Sequence, residues 1–187
     1  MTLSDMCHRF LLVITLVMVP FAARADTPSL LEAIREIDAN VVFMRHALAP
    51  GFGDPEGFRL DACKSQRNLD ETGRQQAVET GRKLRTLGVT FDRILSSEWC
   101  RCWQTAELLD VGEYQTFPGL NSFFQGHADR ERTLALLRAE LTGLGSDLTL
   151  MVTHQVVIQA VARRSAPSGG IVVYNTRSGK SLPASLD

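Results

Sequence analysis

VVFMRHA, residues 41–47, runs four apolar residues into an arginine, a histidine and an alanine. A compact β-branched and apolar run of this kind reads as a strand buried on both faces, as at the centre of an α/β sheet. Outward from it, FDRILS at 91–96, LTLMVTH at 148–154 and IVVY at 171–174 read as further strands, and Tyr114–Leu120 as a short extended piece ending in a Pro-Gly turn. Helical spacing falls between them, over 29–38, 70–87, 99–109, 129–144 and 156–163, with Gly88 as the stop of the second helix. Strands alternating with helices predict an α/β fold: a three-layer αβα sandwich with a mostly parallel central sheet, in a single domain. Residues 49–68 are rich in Gly, Pro and Asp without periodicity, and read as a long functional loop. The tail from Ser178 is polar and reads as loose.

The chain has 187 residues, 44% hydrophobic and 22% charged, with a formal net charge of -1. This is globular composition, and the near-neutral balance speaks against a nucleic-acid partner, which would need a basic face. One apolar run, FLLVITLVMV at 10–19, follows His8 and Arg9 and precedes Ala23-Arg24-Ala25. The pattern predicts a cleavable leader over 1–25 and a mature domain over 26–187, periplasmic or secreted, with no stable membrane insertion after cleavage. The run is about half of what a bilayer-spanning helix needs. An uncleaved N-terminal anchor is the other reading. In an oxidising compartment, Cys63, Cys100 and Cys102 permit one bridge, from Cys63 to either Cys100 or Cys102, with one thiol left over.

In doubly wound sheets ligands bind beyond the carboxyl ends of the strands. Those ends carry Arg45-His46, Ser96-Ser97 ahead of a helix holding Arg101, and Thr153-His154. Two imidazoles and two guanidiniums in one crevice would repel each other unless an anion joined them. Phosphate suits the planar fork of arginine, and the helix starting near Trp99 is expected to add its first amides.

VVFMRHA at 41–47, LSSEWCRCWQTAELL at 95–109 and MVTHQVVI at 151–158 resemble, in order and spacing, the core segments of the histidine phosphatase (phosphoglycerate-mutase-like) superfamily, and RNLDETGRQQA at 67–77 resembles the stretch before its first long helix. Arg45-His46-Ala47 stands where Arg-His-Gly is more common. The leader, the Cys-Lys-Ser-Gln-Arg-Asn loop and Trp-Cys-Arg-Cys look most like small exported members, including phosphatases of lipopolysaccharide heptose. The resemblance implies a small phosphorylated substrate, no metal and no cofactor. It implies His46 as nucleophile, carrying the phosphoryl group as phosphohistidine, with Arg45, Arg101 and His154 around the phosphoryl oxygens. Arg67 or Asn68, beside Gln66, is expected to add a substrate contact.

The chain departs from the family where many members place a glutamate proton donor: the matching stretch reads Leu120-Asn121-Ser122-Phe123-Phe124. Three explanations stand. The acid comes from the 49–61 loop, with Asp54 ahead of Glu56 and Asp61; or from Asp129 or Glu131; or the substrate has a good leaving group, such as another phosphate or a phosphohistidine. The absence argues against a mutase. Phe123 and Phe124 read as core, with the cleft wall as the alternative. A phospho-ligand binder without turnover is the main rival to an enzyme. A metal site on His46 and His154 would lack a further ligand at suitable spacing, and a signalling phosphohistidine phosphatase sits poorly with export.

Overall fold

The computed structural model describes residues 27–187, and the leader expected over 1–25 lies outside them. In chain order the elements are α1 (Leu30–Ile37), β1 (Val41–Arg45), α2 (Glu71–Thr86), β2 (Arg93–Ser96), α3 (Cys100–Leu109), β3 (Gln115–Thr116), α4 (Arg130–Gly143), β4 (Thr149–Thr153), α5 (Gln155–Ala162), β5 (Ile171–Tyr174) and β6 (Ser181–Ala184). Local chemistry sets the boundaries. Ser29 and Glu32 cap the start of α1 reciprocally, and the Asp70 and Asp129 side chains accept from Gly73 N and Arg132 N to start α2 and α4.

The strands form one sheet in the order β3-β2-β4-β1-β5-β6. The β3–β2, β2–β4 and β4–β1 pairs are parallel, while β5 and β6 join antiparallel. Alternation along β1 divides the core. Val42 and Met44 pack with Leu30, Leu84 and Leu109 from α1, α2 and α3. Val41 and Phe43 face Leu137 and Leu141 of α4 and Val157 and Ile158 of α5. These are the three layers that the alternation of elements predicts.

The tail from Ser178 is not loose. It forms β6, whose Leu182 and Ala184 pack on the core shared with α1, and Ser185 exchanges backbone hydrogen bonds with Pro28 and Leu30. Its alternating apolar residues outweigh its polar composition, and Pro183 is tolerated because β6 is an edge strand.

α2 packs closely through two glycines. A Cβ on Gly73 would lie 1.9 Å from the Leu48 carbonyl oxygen, and one on Gly81 1.9 Å from that of Leu109. α2 therefore seats against both the strand-end loop and the end of α3.

Candidate active site

β1 and β4 are parallel neighbours with Arg45 opposite Thr153. The next residues, His46 and His154, therefore leave the sheet side by side. Their ring centroids are 5.5 Å apart at 65°. β2 lies on the other side of β4, with Ser96 opposite Val152, which brings Ser97 and the start of α3 to the same edge.

His46 is held from all sides. Its Nδ1 lies 2.7 Å from the Ala47 carbonyl oxygen. A carbonyl only accepts, so the proton sits on Nδ1 and Nε2 keeps its lone pair. Ala47 N donates to Thr105 Oγ1, and Gly169 N donates to the His46 carbonyl. Gln76 of α2 binds this loop to the 167–169 turn, accepting from Leu48 N and donating to the Ser168 carbonyl. Burial, and next the Arg101 guanidinium, hold the His46 pKa well below the usual histidine range, so the ring is neutral.

His154 is fully buried and likewise neutral, for the same two leading causes. Arg101 Nη2 lies 3.4 Å from its Nδ1, and its Nε2 lies 3.0 Å from Ser97 Oγ. Arginine only donates, so Nδ1 accepts and Nε2 carries the proton toward Ser97. Ser97 Oγ donates to Asn121 Oδ1, and Asn121 Nδ2 donates to Glu98. The Cys102 thiol packs 3.4 Å from His154 Nε2, and burial pushes its pKa up to about 12, so it is a thiol and not a thiolate.

Asp54 makes a bidentate pair with Arg101, at 2.7 and 3.1 Å, and also accepts from Trp99 Nε1 and Arg67 N. The two side chains are 4% and 3% exposed. Burial pushes the Asp54 carboxyl up, but Arg101 and the other donors outweigh it and hold the group below the usual carboxylate range. The expectation of Asp54 as proton donor is therefore corrected: its oxygens are committed as acceptors, and it aims Arg101. Glu56 and Glu131 are exposed, Asp61 pairs with Arg59, Asp129 caps α4, and none of the four lines the cleft.

Arg67 lines the cleft, with Nε on the Gly53 carbonyl and Nη1 on that of Ala49. Asn68 does not. Its amide donates to the Cys63 and Gln66 carbonyls and shapes the loop, which corrects its expected substrate contact. The first amides of α3 are also engaged elsewhere, Cys100 N by Gln66 Oε1 and Trp99 N by Ser97 Oγ. The helix that begins at the cleft is α5, through Gln155 and Val156. Cys63 is bridged to Cys100, closing the loop that carries Asp54 and Arg67 onto α3; Cys102 is the free thiol.

Three guanidiniums, Arg45, Arg67 and Arg101, against the Asp54 carboxylate leave two positive charges, the complement of a phosphomonoester dianion. Arg45 Nε and Arg101 Nε are buried and donate to no acceptor among the described residues. Those N–H groups suit an oxyanion.

The cleft encloses about 220 Å³. Above its cationic floor the wall is Gly51, Phe52, Gly53, Ser122, Phe124, Gln155 and Val156. Phe123 and Phe124 diverge. Phe123 packs on the core, whereas Phe124 is 38% exposed and lines the cleft. Gln76, Phe52 and Gln155 are site residues that the sequence pattern did not single out, whereas Ser97 was already placed at a strand end. Gln155 directly follows His154, already placed at a strand end, and that adjacency was the available signal.

Residues 41–133 match the model of the histidine phosphatase superfamily, branch 1. The chain is 30% identical over 70 residues to the mitochondrial serine/threonine-protein phosphatase Pgam5 of Drosophila grimshawi, a stretch that is 37% of this chain and 22% of that protein. It therefore spans about a fifth of the curated relative it matches. Among solved structures, the protein histidine phosphatase SixA in complex with tungstate superposes with a TM-score of 0.51 at 20% identity, over 78% of this chain and 94% of that one. A phosphoglycerate mutase from Thermus thermophilus gives 0.53 at 19%, over 79% and 99%. At such identities the superpositions speak for the fold. The matched segment, which carries Arg45, His46 and Arg101, makes the chain a member of the histidine phosphatase superfamily.

Proposed function

We propose that this protein is an exported phosphatase that hydrolyses phosphomonoesters through a phosphohistidine on His46. The observation that carries the reading is the neutral, oriented His46 ring: Nδ1–H is fixed on the Ala47 carbonyl, which leaves the lone pair on Nε2, and the ring lines a cleft together with Arg45, Arg67 and Arg101. Nε2 attacks phosphorus and the ester P–O bond breaks, its electron pair leaving with the alcohol oxygen. Water then attacks the phosphohistidine, the P–N bond breaks, and Nε2 regains its lone pair as phosphate departs. Arg45, Arg101 and Arg67 offset charge on the phosphoryl oxygens. Phosphoryl transfer of this kind rests on positioning and charge, and one lost donor costs about 10²–10³ in rate.

The test is phosphate release from p-nitrophenyl phosphate and from a panel of phosphorylated metabolites and envelope sugars, the latter being the substrates that the leader-like N-terminus suggests. His46→Ala is expected to abolish turnover, and ³²P is expected on His46 of the wild type in single-turnover mixing. A cleft wall that carries no carboxylic acid among the described residues favours one second reading, a phospho-ligand binder without turnover. Tight phosphate binding with no release from any substrate supports that reading and defeats the first.

A further inference from the structure

The wall above the phosphoryl floor has an unusual make-up. Phe52 is 88% exposed, and its ring meets that of Phe124 edge to face at 5.1 Å. Both residues line the cleft. The segments that carry them are tied together: Asp54 N donates to Gln125 Oε1 at 2.7 Å, and Gly53 accepts from Arg67 Nε. The aromatic pair is thus held by the same network that holds the arginines. An exposed aromatic surface fixed at the mouth of a pocket marks a binding surface.

Two further features of the wall concern the leaving group. Among the described residues no carboxylic acid lines the cleft, and Asp54, which pairs with cleft-lining Arg101, accepts hydrogen bonds on both oxygens. Among the described residues the wall beyond the arginines also carries no second positive charge that would pair with a further phosphate or carboxylate on the substrate. An aliphatic alcohol is about as weak an acid as bulk water, far weaker than a phenol, and leaves poorly unless protonated. A phenol, at about 10, leaves as the phenolate. A sugar phosphate belongs to the first kind.

We infer that the cleft is specific for aryl phosphomonoesters, phosphorylated phenols whose ring packs on Phe52 and Phe124 and departs without a proton donor. The inference deepens the phosphatase reading and rests on it. Nε2 of His46 displaces the phenolate, the P–O electron pair stays on the phenolic oxygen, and solvent protonates that oxygen. Hydrolysis of the phosphohistidine by one water completes the balance of aryl phosphate and water to phenol and phosphate.

Three substrates separate the elements of this claim. Phenyl phosphate offers a ring and a good leaving group, benzyl phosphate a ring with an alkoxide leaving group, and glycerol 1-phosphate neither. The expected kcat for phenyl phosphate exceeds that for benzyl phosphate by about 10² or more, the range that a general acid would otherwise supply. Benzyl phosphate is expected to bind with a lower KM than glycerol 1-phosphate. The Phe52→Ala/Phe124→Ala double variant is expected to shrink the KM advantage of both aromatic substrates over glycerol 1-phosphate by roughly three- to tenfold. Across ring-substituted phenyl phosphates, kcat/KM is expected to fall steeply as the phenol pKa rises. Equal kcat on benzyl and phenyl phosphate, a flat substituent series, or a KM ratio that the double variant leaves in place overturns the inference while leaving the phosphatase standing. Absence of both turnover and ³²P on His46 with every substrate defeats the phosphatase reading itself.

Discussion

His46 acts as a nucleophile only while its ring is neutral and turned the right way. The Ala47 carbonyl fixes the turn, and burial beside Arg101 fixes the charge. Asp54 stands one step behind, as the acceptor that keeps Arg101 in place. Asp54→Asn leaves Arg101 as an unpaired buried charge, so unfolding free energy is expected to drop by about 3–5 kcal/mol, read by urea titration. Its kinetic effect separates positioning from proton donation. A positioning residue lowers kcat/KM by a similar factor for phenyl and benzyl phosphate, whereas loss of a proton donor would strike benzyl phosphate far harder. A selective loss on benzyl phosphate would restore Asp54 as the acid.

At the scale of elements, the Cys63–Cys100 bridge fastens the 49–68 loop to the first turn of α3, with a sequence separation of 37. Closing a loop of that size is worth about 4 kcal/mol in the unfolded-chain model. Cys63→Ser/Cys100→Ser is therefore expected to lower stability by about that amount. It should also raise KM, because Asp54 and Arg67 ride on the freed loop. Unchanged KM in the folded double variant would show that Asp54 and Gln66 hold the loop unaided. Gly81 sets the approach of α2 to α3, where a Cβ would meet the Leu109 carbonyl at 1.9 Å. Gly81→Ala is expected to destabilise by about 1–3 kcal/mol despite the better helix propensity of alanine, measured as a lower denaturant midpoint.

At the scale of the whole molecule, the site is destabilising when protonated and stabilising when filled. The unfolded chain binds protons on both histidines near pH ~6.5, while the folded rings do so only well below that. Between those limits the unfolded state holds more protons, so stability rises with pH and falls on acidification from about 6.5, by up to about 1.4 kcal/mol per pH unit for each ring. Asp54 acts in the same direction in a lower window. Its contribution is present above its unfolded value and is lost as pH falls below about 3.8 through its depressed folded pKa. The midpoint of thermal unfolding is expected to drop steadily between pH 6.5 and 5, and His154→Gln is expected to flatten that slope. Orthophosphate at a hundredfold its Kd adds about 2.7 kcal/mol and raises the midpoint by roughly 5–10 °C. Arg101→Ala is expected to remove the shift.

Order and type of the elements up to β5 were legible in the chain because buried strands and amphipathic helices carry their periods locally, and caps such as Asp70 mark their ends, whereas the half-buried edge strand β6 was not. The positions of Arg45-His46 and His154 were legible for a related reason: a residue at or directly after the end of a buried strand has only one place to go in a parallel sheet, and Arg101 follows from lying in the first turn of the helix after β2. Partnership was not. Whether Asp54 gives a proton or anchors Arg101 depends on donors from residues 67, 99 and 101, and whether Asn68 faces substrate or its own loop depends on which carbonyls lie near. Phe123 and Phe124 are adjacent and chemically identical, yet one enters the core and the other the cleft. Sequence fixes what each side chain is able to do. Only the packing of distant segments decides which groups share a low-dielectric space, and there charge and hydrogen bonding assign the role.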